Sequence, residues 1–209
     1  MQDFAASLPV RLLGAVEGAK VIDLCAAPGG KTAQLAALGA DVTAIDVSAE
    51  RLGVVEENLL RLQLKATCIA ADARDWHPDS RAPFVLLDAP CTATGTIRRH
   101  PDLPWIKNAA DIAPCETLQG ELLEAAADMI APGGILVYAV CSLEPEEGRE
   151  QIDLFLRART DFARVPVTEA EVFDREFISA AGDLRTLPSH WSERGGMDGF
   201  FAARLKRAT

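Results

Sequence analysis

The chain has 209 residues, 49% of them hydrophobic and 6% aromatic, with a formal net charge of −10. That composition suits one globular α/β domain with a sizeable core and excludes a disordered chain. No run reaches the ~18 apolar residues of a membrane span, Met1 opens no recognisable signal peptide, and the acidic balance argues against broad, non-specific nucleic-acid binding.

Residues 1–20 are expected to hold a short amphipathic helix around Phe4, Leu8, Leu12 and Leu13, ahead of a buried strand over 21–25. A loop, 26–30, then leads into a helix over 31–38 that Gly39 can terminate. A second strand is predicted over 42–46. Ser48 is placed to cap a helix with Leu52, Val55, Leu59 and Leu62 on one face. Further strands are predicted over 66–70 and 84–88. The segment 91–114 has no periodicity, and loops of that length inside a compact domain are usually functional. Leu118, Leu122, Ala126 and Met129 recur at helical spacing; Pro132, Gly133 and Gly134 are then expected to turn the chain into a fifth strand.

Ser142 and Pro145, with Glu144, Glu146 and Glu147, are expected to open another helix with acids near its positive end, burying Ile152, Phe155 and Leu156. In the less regular tail, 184–187 and 199–205 are expected to pair as antiparallel strands at one sheet edge. Strand–helix alternation predicts an α/β, Rossmann-like fold: a mostly parallel, doubly wound sheet with an antiparallel edge strand, in one domain over 1–209. A soluble cytoplasmic protein is the expectation.

Five cysteines cannot form a complete disulfide set within one chain, and none forms a Cys-x-x-Cys pair. Free thiols and no metal are expected, since no histidine has ligand spacing to a cysteine. Cys68, inside a strand, and Cys115, at a helix start, read as packing residues. Cys91 and Cys141 differ. Each closes an apolar strand-like run, each precedes a hydroxyl-bearing residue, and strand ends are where open α/β sheets put ligands.

The first strand–loop–helix carries Cys25, Ala26, Ala27, Pro28, Gly29, Gly30, Lys31 and Thr32. Its end imitates a phosphate-binding loop, but Cys25 stands where the first glycine of that pattern belongs. The dinucleotide pattern Gly-x-Gly-x-x-Gly is absent too. What remains is a glycine turn beside a helix N-terminus. Asp46, Asp72 and Asp88 follow three successive strands. One acid alone would read as a solvated loop residue. Three together match a ligand with ribose hydroxyls, an adenine amino group and an ammonium, without phosphate. S-adenosyl-L-methionine is that ligand.

Two thiols on the same rim then suggest covalent chemistry on a pyrimidine. A thiolate added to cytosine carbon 6 makes carbon 5 nucleophilic; a base removes the carbon 5 proton and the thiolate leaves. Cys141, Asp88 and Cys91 offer a nucleophile, a donor to ring nitrogen 3 and a route to elimination, and Lys31 on the same rim favours the thiolate. Chemistry alone leaves open which thiol attacks.

Asp23-Leu24-Cys25-Ala26-Ala27-Pro28-Gly29-Gly30-Lys31-Thr32, Asp88-Ala89-Pro90-Cys91, and the Cys141-Ser142 turn followed by Glu144-Pro145-Glu146-Glu147 resemble the RNA cytosine-5 methyltransferases of the Sun/NSUN family. Gly95-Thr96-Ile97-Arg98-Arg99-His100-Pro101-Asp102 and the ending from Asp198 to Leu205 resemble the bacterial Sun/Fmu (RsmB-like) type, which modifies 16S ribosomal RNA. The resemblance implies a class I methyltransferase fold, with Cys141 as nucleophile and Cys91 assisting product release. It implies cofactor contacts by 25–31, Asp46, Asp72 and Asp88, with Arg51 bordering the adenosine; Asp88 and Lys31 would also reach the cytosine. Family members carry RNA-binding regions before this domain, and Gln2-Asp3 resembles the start of the domain itself. The chain is therefore expected to be a catalytic domain without those regions.

Arg98, Arg99 and His100, with Lys107, are the expected RNA contacts, and Trp105 is placed either to stack on a base or to anchor the loop by burial. Arg204, Lys206 and Arg207 read as an exposed strand end. The expected partner is ribosomal RNA, with no membrane and no metal, and a monomer is the expected state. Two rivals are a cofactor- or partner-binding domain without activity of its own, and a DNA cytosine-5 methyltransferase.

Overall fold

Strand β1 (Lys20–Leu24) buries Val21, Ile22, Asp23 and Leu24 in succession, as a strand covered on both faces must. It pairs in parallel with β2 (Asp41–Asp46) on one side and β4 (Ala82–Asp88) on the other. β3 (Thr67–Ala70) adds to β2, and β5 (Ile130–Val140) adds to β4, again in parallel. β8 (Phe200–Arg207) runs antiparallel to β5 and carries β6 (Phe162–Arg164) and β7 (Leu184–Thr186) as antiparallel partners. The computed structural model describes residues 2–209, so Met1, where the expected N-terminal segment begins, lies outside them. Among the described residues the strands form one eight-stranded sheet in the order β3-β2-β1-β4-β5-β8-β6, with β7 also on β8.

Helices cover both faces because successive strand residues point to opposite sides. Val85 and Leu87 join Leu122, Leu123 and Ala126 of α5 (Ile112–Met129) and Ile152 and Phe155 of α6 (Arg149–Ala158). Val21, Leu86 and Val137 join Leu8 and Val10 of α1 (Phe4–Arg11), in the order of the chain preceding Leu35 of α2 (Gly30–Ala37). Each fully buried aliphatic side chain stabilises the fold by ~1.5–3 kcal/mol relative to exposure. The expected cap forms at α3 (Ala49–Leu62), where the Ser48 hydroxyl accepts from the Arg51 N–H at 3.2 Å.

The chain moves from β1 to β2 on one side and returns to β4 on the other. The C-terminal ends of β1 and β4 therefore flank the point where winding reverses, the usual ligand crevice of such sheets.

Several expectations are corrected. The N-terminal helix stops at Arg11 rather than filling 1–20. Pro132–Gly134 lies within β5, not before it: Ala82 pairs with Ile130 but Phe84 with Ile135, so the extra residues bulge from the ladder. The helix expected from Ser142 begins at Arg149. Segment 91–114 holds single turns, including α4 (Leu103–Ile106), each too short to show a periodic face, until α5 begins at Ile112 within it. The antiparallel pairing expected at one sheet edge is present, as β7 with β8, and β6 adds a further antiparallel strand beyond β8. Arg204 is accordingly tied down, donating to the Glu171 carboxylate and, at 2.6 Å, to the Pro166 carbonyl.

Candidate active site

The winding reversal brings four of the expected site residues to one rim. Lys31 follows β1, Asp88 ends β4, Cys91 follows β4 and Cys141 follows β5. The Lys31 ammonium donates to Asp88 Oδ2 at 2.7 Å and lies 4.9 Å from the centre of the Phe200 ring. Lys31, Asp88, Cys141 and Phe200 line a cavity of about 820 Å³ together with Asp23 and the 25–30 loop. Pockets of this size accommodate a cofactor-sized ligand.

Cys91 Sγ and Cys141 Sγ are 3.5 Å apart, and neither forms a disulfide. The two thiols shift in opposite directions. Cys141 is shifted down, first by the hydrogen bond from Cys91, with the Lys31 charge acting the same way against burial and Asp88. Cys91 is pushed well up, first by that same hydrogen bond and then by burial. The other three thiols all move up, chiefly through burial, with Cys25 reaching about 12. Cys141 is the one thiol of the five that is shifted down.

The loop after β1 is held from both sides. Gly29 adopts φ 95°, and a Cβ there would lie 2.9 Å from Val55 Cγ1, so only glycine fits. Asp46 accepts from the Ala27 N–H at 3.1 Å and the Ser48 N–H at 3.0 Å. The Arg51 guanidinium donates to the Ala27 carbonyl at 3.0 Å. Asp46 and Arg51 therefore brace the loop, and they do not line the cavity. Asp72 is drawn away as well. It takes a forked contact from Arg74, which holds its carboxyl down at about 2.

Sequence reasoning passed over Asp23. It is fully buried in β1, where it accepts from the Thr32 hydroxyl at 2.6 Å, and its Oδ1 has no partner. Burial raises its pKa to about 7. The signal available in the sequence was a lone acid inside an apolar strand, since such a group is buried only at a cost. Glu147, expected among the acids at the start of a helix, lies ahead of that helix, is buried, and accepts from Thr92, Ser142 and Gln119.

The expected RNA contacts divide. Arg99 forks onto Asp198 at 2.6 to 3.0 Å, and Arg98 donates to Asp3 at 2.7 Å, so both guanidiniums fasten the loop to its neighbours. His100 is exposed in the turn that follows. Trp105 is 88% exposed, which removes the buried-anchor alternative. Among the described residues no helix is long and apolar enough to cross a membrane, and no group of three or more His, Cys, Asp or Glu could hold a metal.

A family model described as 16S rRNA methyltransferase RsmB/F matches residues 10–206. The chain is 42% identical over 210 residues to ribosomal RNA small subunit methyltransferase B of Yersinia enterocolitica, covering 98% of this chain and 46% of that protein. The same protein of Salmonella arizonae gives the same identity and coverage. Among solved structures, NSun6 from Pyrococcus horikoshii with SFG superposes with a TM-score of 0.84 at 30% identity, covering 100% of this chain and 53% of that one. The chain thus spans about half the length of these relatives.

Proposed function

The chain belongs to the RsmB/F family of 16S rRNA methyltransferases, and from that premise we propose that it transfers a methyl group from S-adenosyl-L-methionine to carbon 5 of a cytosine in 16S ribosomal RNA through a covalent cysteine adduct. The observation that carries this reading is the sulfur pair 3.5 Å apart, with the shifted-down member, Cys141, on the wall of a large cavity.

The residues present fit that cofactor. Asp23 Oδ1 is a buried acceptor without a partner on the cavity wall, suited to an ammonium. The Cys25–Gly30 backbone lines the cavity without bulk at Gly29 and Gly30. Asp46 and Arg51 hold that loop in shape from behind, through the Ala27 N–H and the Ala27 carbonyl. When bound, the cofactor supplies an electrophilic methyl group on a sulfonium.

The chain's own groups do the rest. Cys141 Sγ adds to cytosine carbon 6. The Lys31–Asp88 pair contacts the ring so that charge developing at nitrogen 3 meets a donor. Cys141, its proton lost to solvent, is held as a thiolate by the Cys91 S–H 3.5 Å away; after methyl transfer Cys91, by then deprotonated to solvent, takes the carbon 5 proton while the Cys141–carbon 6 bond breaks and the Cys141 thiolate leaves. Trp105 offers a face for a flanking base, with Lys107 and His100 beside it in the chain.

The test is methyl transfer from labelled cofactor to 16S ribosomal RNA, read as 5-methylcytosine, with DNA as competitor. Label in RNA cytosine at carbon 5 supports the reading. Cofactor binding without transfer, or label in DNA only, overturns it.

A further inference from the structure

The loops bearing the two thiols leave neighbouring strands, β4 and β5, which stay paired as far as Asp88 and Ala139. Beyond the ladder the Gly95 N–H donates to the Cys141 carbonyl at 3.0 Å and the Leu143 N–H to the Thr94 hydroxyl at 2.8 Å. A buried carboxylate adds a tie at the residues next to the thiols themselves. Glu147 Oε1 accepts from the Thr92 N–H at 2.9 Å and from Gln119 Nε2 at 3.0 Å. Glu147 Oε2 accepts from the Ser142 hydroxyl at 2.5 Å and from the Thr92 hydroxyl. A carboxylate has about four acceptor sites, and here each is matched by a donor. Thr92 follows Cys91 and Ser142 follows Cys141, so one side chain grips the residue next to each thiol.

The grip is itself fixed. The Tyr138 hydroxyl donates to the Glu147 carbonyl at 2.7 Å, and Gln119 Nε2 also donates to the carbonyl of Pro90, the residue before Cys91, at 2.8 Å. Burying a carboxylate is costly unless it is fully paired. A satisfied network of this kind holds one geometry in place of many. Glu147 does not line the cavity and touches neither sulfur.

We propose that Glu147 is a positioning residue that sets the distance between Cys91 Sγ and Cys141 Sγ. The proposal rests on the function read above for its catalytic consequence, though not for its geometry.

Glu147→Gln keeps the shape but replaces an acceptor oxygen by a donor. Thr92→Val and Ser142→Ala each remove one hydroxyl strut and leave the carboxylate its other partners. All three, with the parent chain, are equilibrated in a glutathione redox buffer. Glutathione disulfide oxidises the two thiols to a Cys91–Cys141 disulfide and is reduced to two glutathione molecules. The position of that equilibrium, read by mass spectrometry, reports the effective concentration of one thiol at the other. The expected result is a fall of about tenfold or more in each folded variant, a Cys141 alkylation profile moved to higher pH, and a kcat loss approaching 100-fold with KM little changed. An unchanged redox equilibrium and alkylation profile in the folded hydroxyl variants overturns the proposal, even if their activity falls. If the parent chain methylates no cytosine, the functional reading fails while the redox comparison still decides the role of Glu147.

Discussion

Cys91 and Cys141, fifty residues apart in the chain, meet with their sulfurs 3.5 Å apart. Two thiols in an apolar setting would ordinarily both be inert. Here the hydrogen bond between them shifts Cys141 down and Cys91 up, the asymmetry that the proposed mechanism uses.

The division of labour predicts opposite outcomes for the two alanine variants. Cys141→Ala loses both turnover and the covalent RNA adduct, with activity down at least ~1,000-fold. Cys91→Ala forms the adduct but stalls at elimination, so protein accumulates on RNA in denaturing gels. Normal release by Cys91→Ala would remove its assigned role.

The same contact predicts a pH effect. Cys141 is lowered chiefly by the hydrogen bond from Cys91, so deleting that donor raises the Cys141 pKa and shrinks its thiolate fraction at pH 7. In Cys91→Ala, iodoacetamide should modify Cys141 more slowly at neutral pH, with the rate profile displaced to higher pH. A profile displaced downward would contradict the proton assignment.

Asp23 gives a stability prediction. Its folded pKa is about 7 against 3.8 for the unperturbed group, so between those values the folded chain holds a proton that the unfolded chain has lost. Stability from this group is present below about pH 4 and declines as pH rises toward 7. Asp23→Asn removes that decline while keeping an acceptor for the Thr32 hydroxyl. The melting temperature of the variant relative to the parent should climb from pH 4 to pH 7; a gap constant across that range would refute the linkage.

Much of this was legible in the sequence because it follows from local pattern. Strand-end positions single out Cys91, Cys141, Asp88 and Lys31, since an apolar run followed by a polar residue marks a rim. Relationships across the fold were not legible. Glu147 sits among acids that read as helix-end charges, and only the approach of Thr92 shows that it is buried. Arg98 and Arg99 read as free cations because Asp198 lies about a hundred residues away. The bulge that absorbs Pro132–Gly134 into β5 likewise depends on a partner strand that local propensity does not see.

Gly95 should tolerate no side chain. A Cβ there would lie 2.1 Å from the Gly199 carbonyl oxygen and 2.9 Å from that of Cys141, and both obstacles are backbone. Gly95→Ala should cost about 1–3 kcal/mol or more by denaturant titration and reduce activity by displacing the Cys141 loop. A fully stable, fully active variant would contradict the packing described.

Trp105 separates binding from folding. At 88% exposure its loss should change stability by less than about 0.5 kcal/mol. RNA affinity should weaken by about 1–3 kcal/mol in Trp105→Ala if a base stacks there. Unchanged RNA affinity would remove Trp105 from the interface.

The most direct single measurement uses ribosomal RNA carrying 5-fluorocytidine at the target, where fluorine in place of the carbon 5 proton blocks elimination. With S-adenosyl-L-methionine present, digestion and mass mapping should find the nucleotide bonded to Cys141 and a methyl group added to it. A nucleotide bonded to Cys91 instead, or methylated 5-fluorocytidine released with no protein bond, would contradict it.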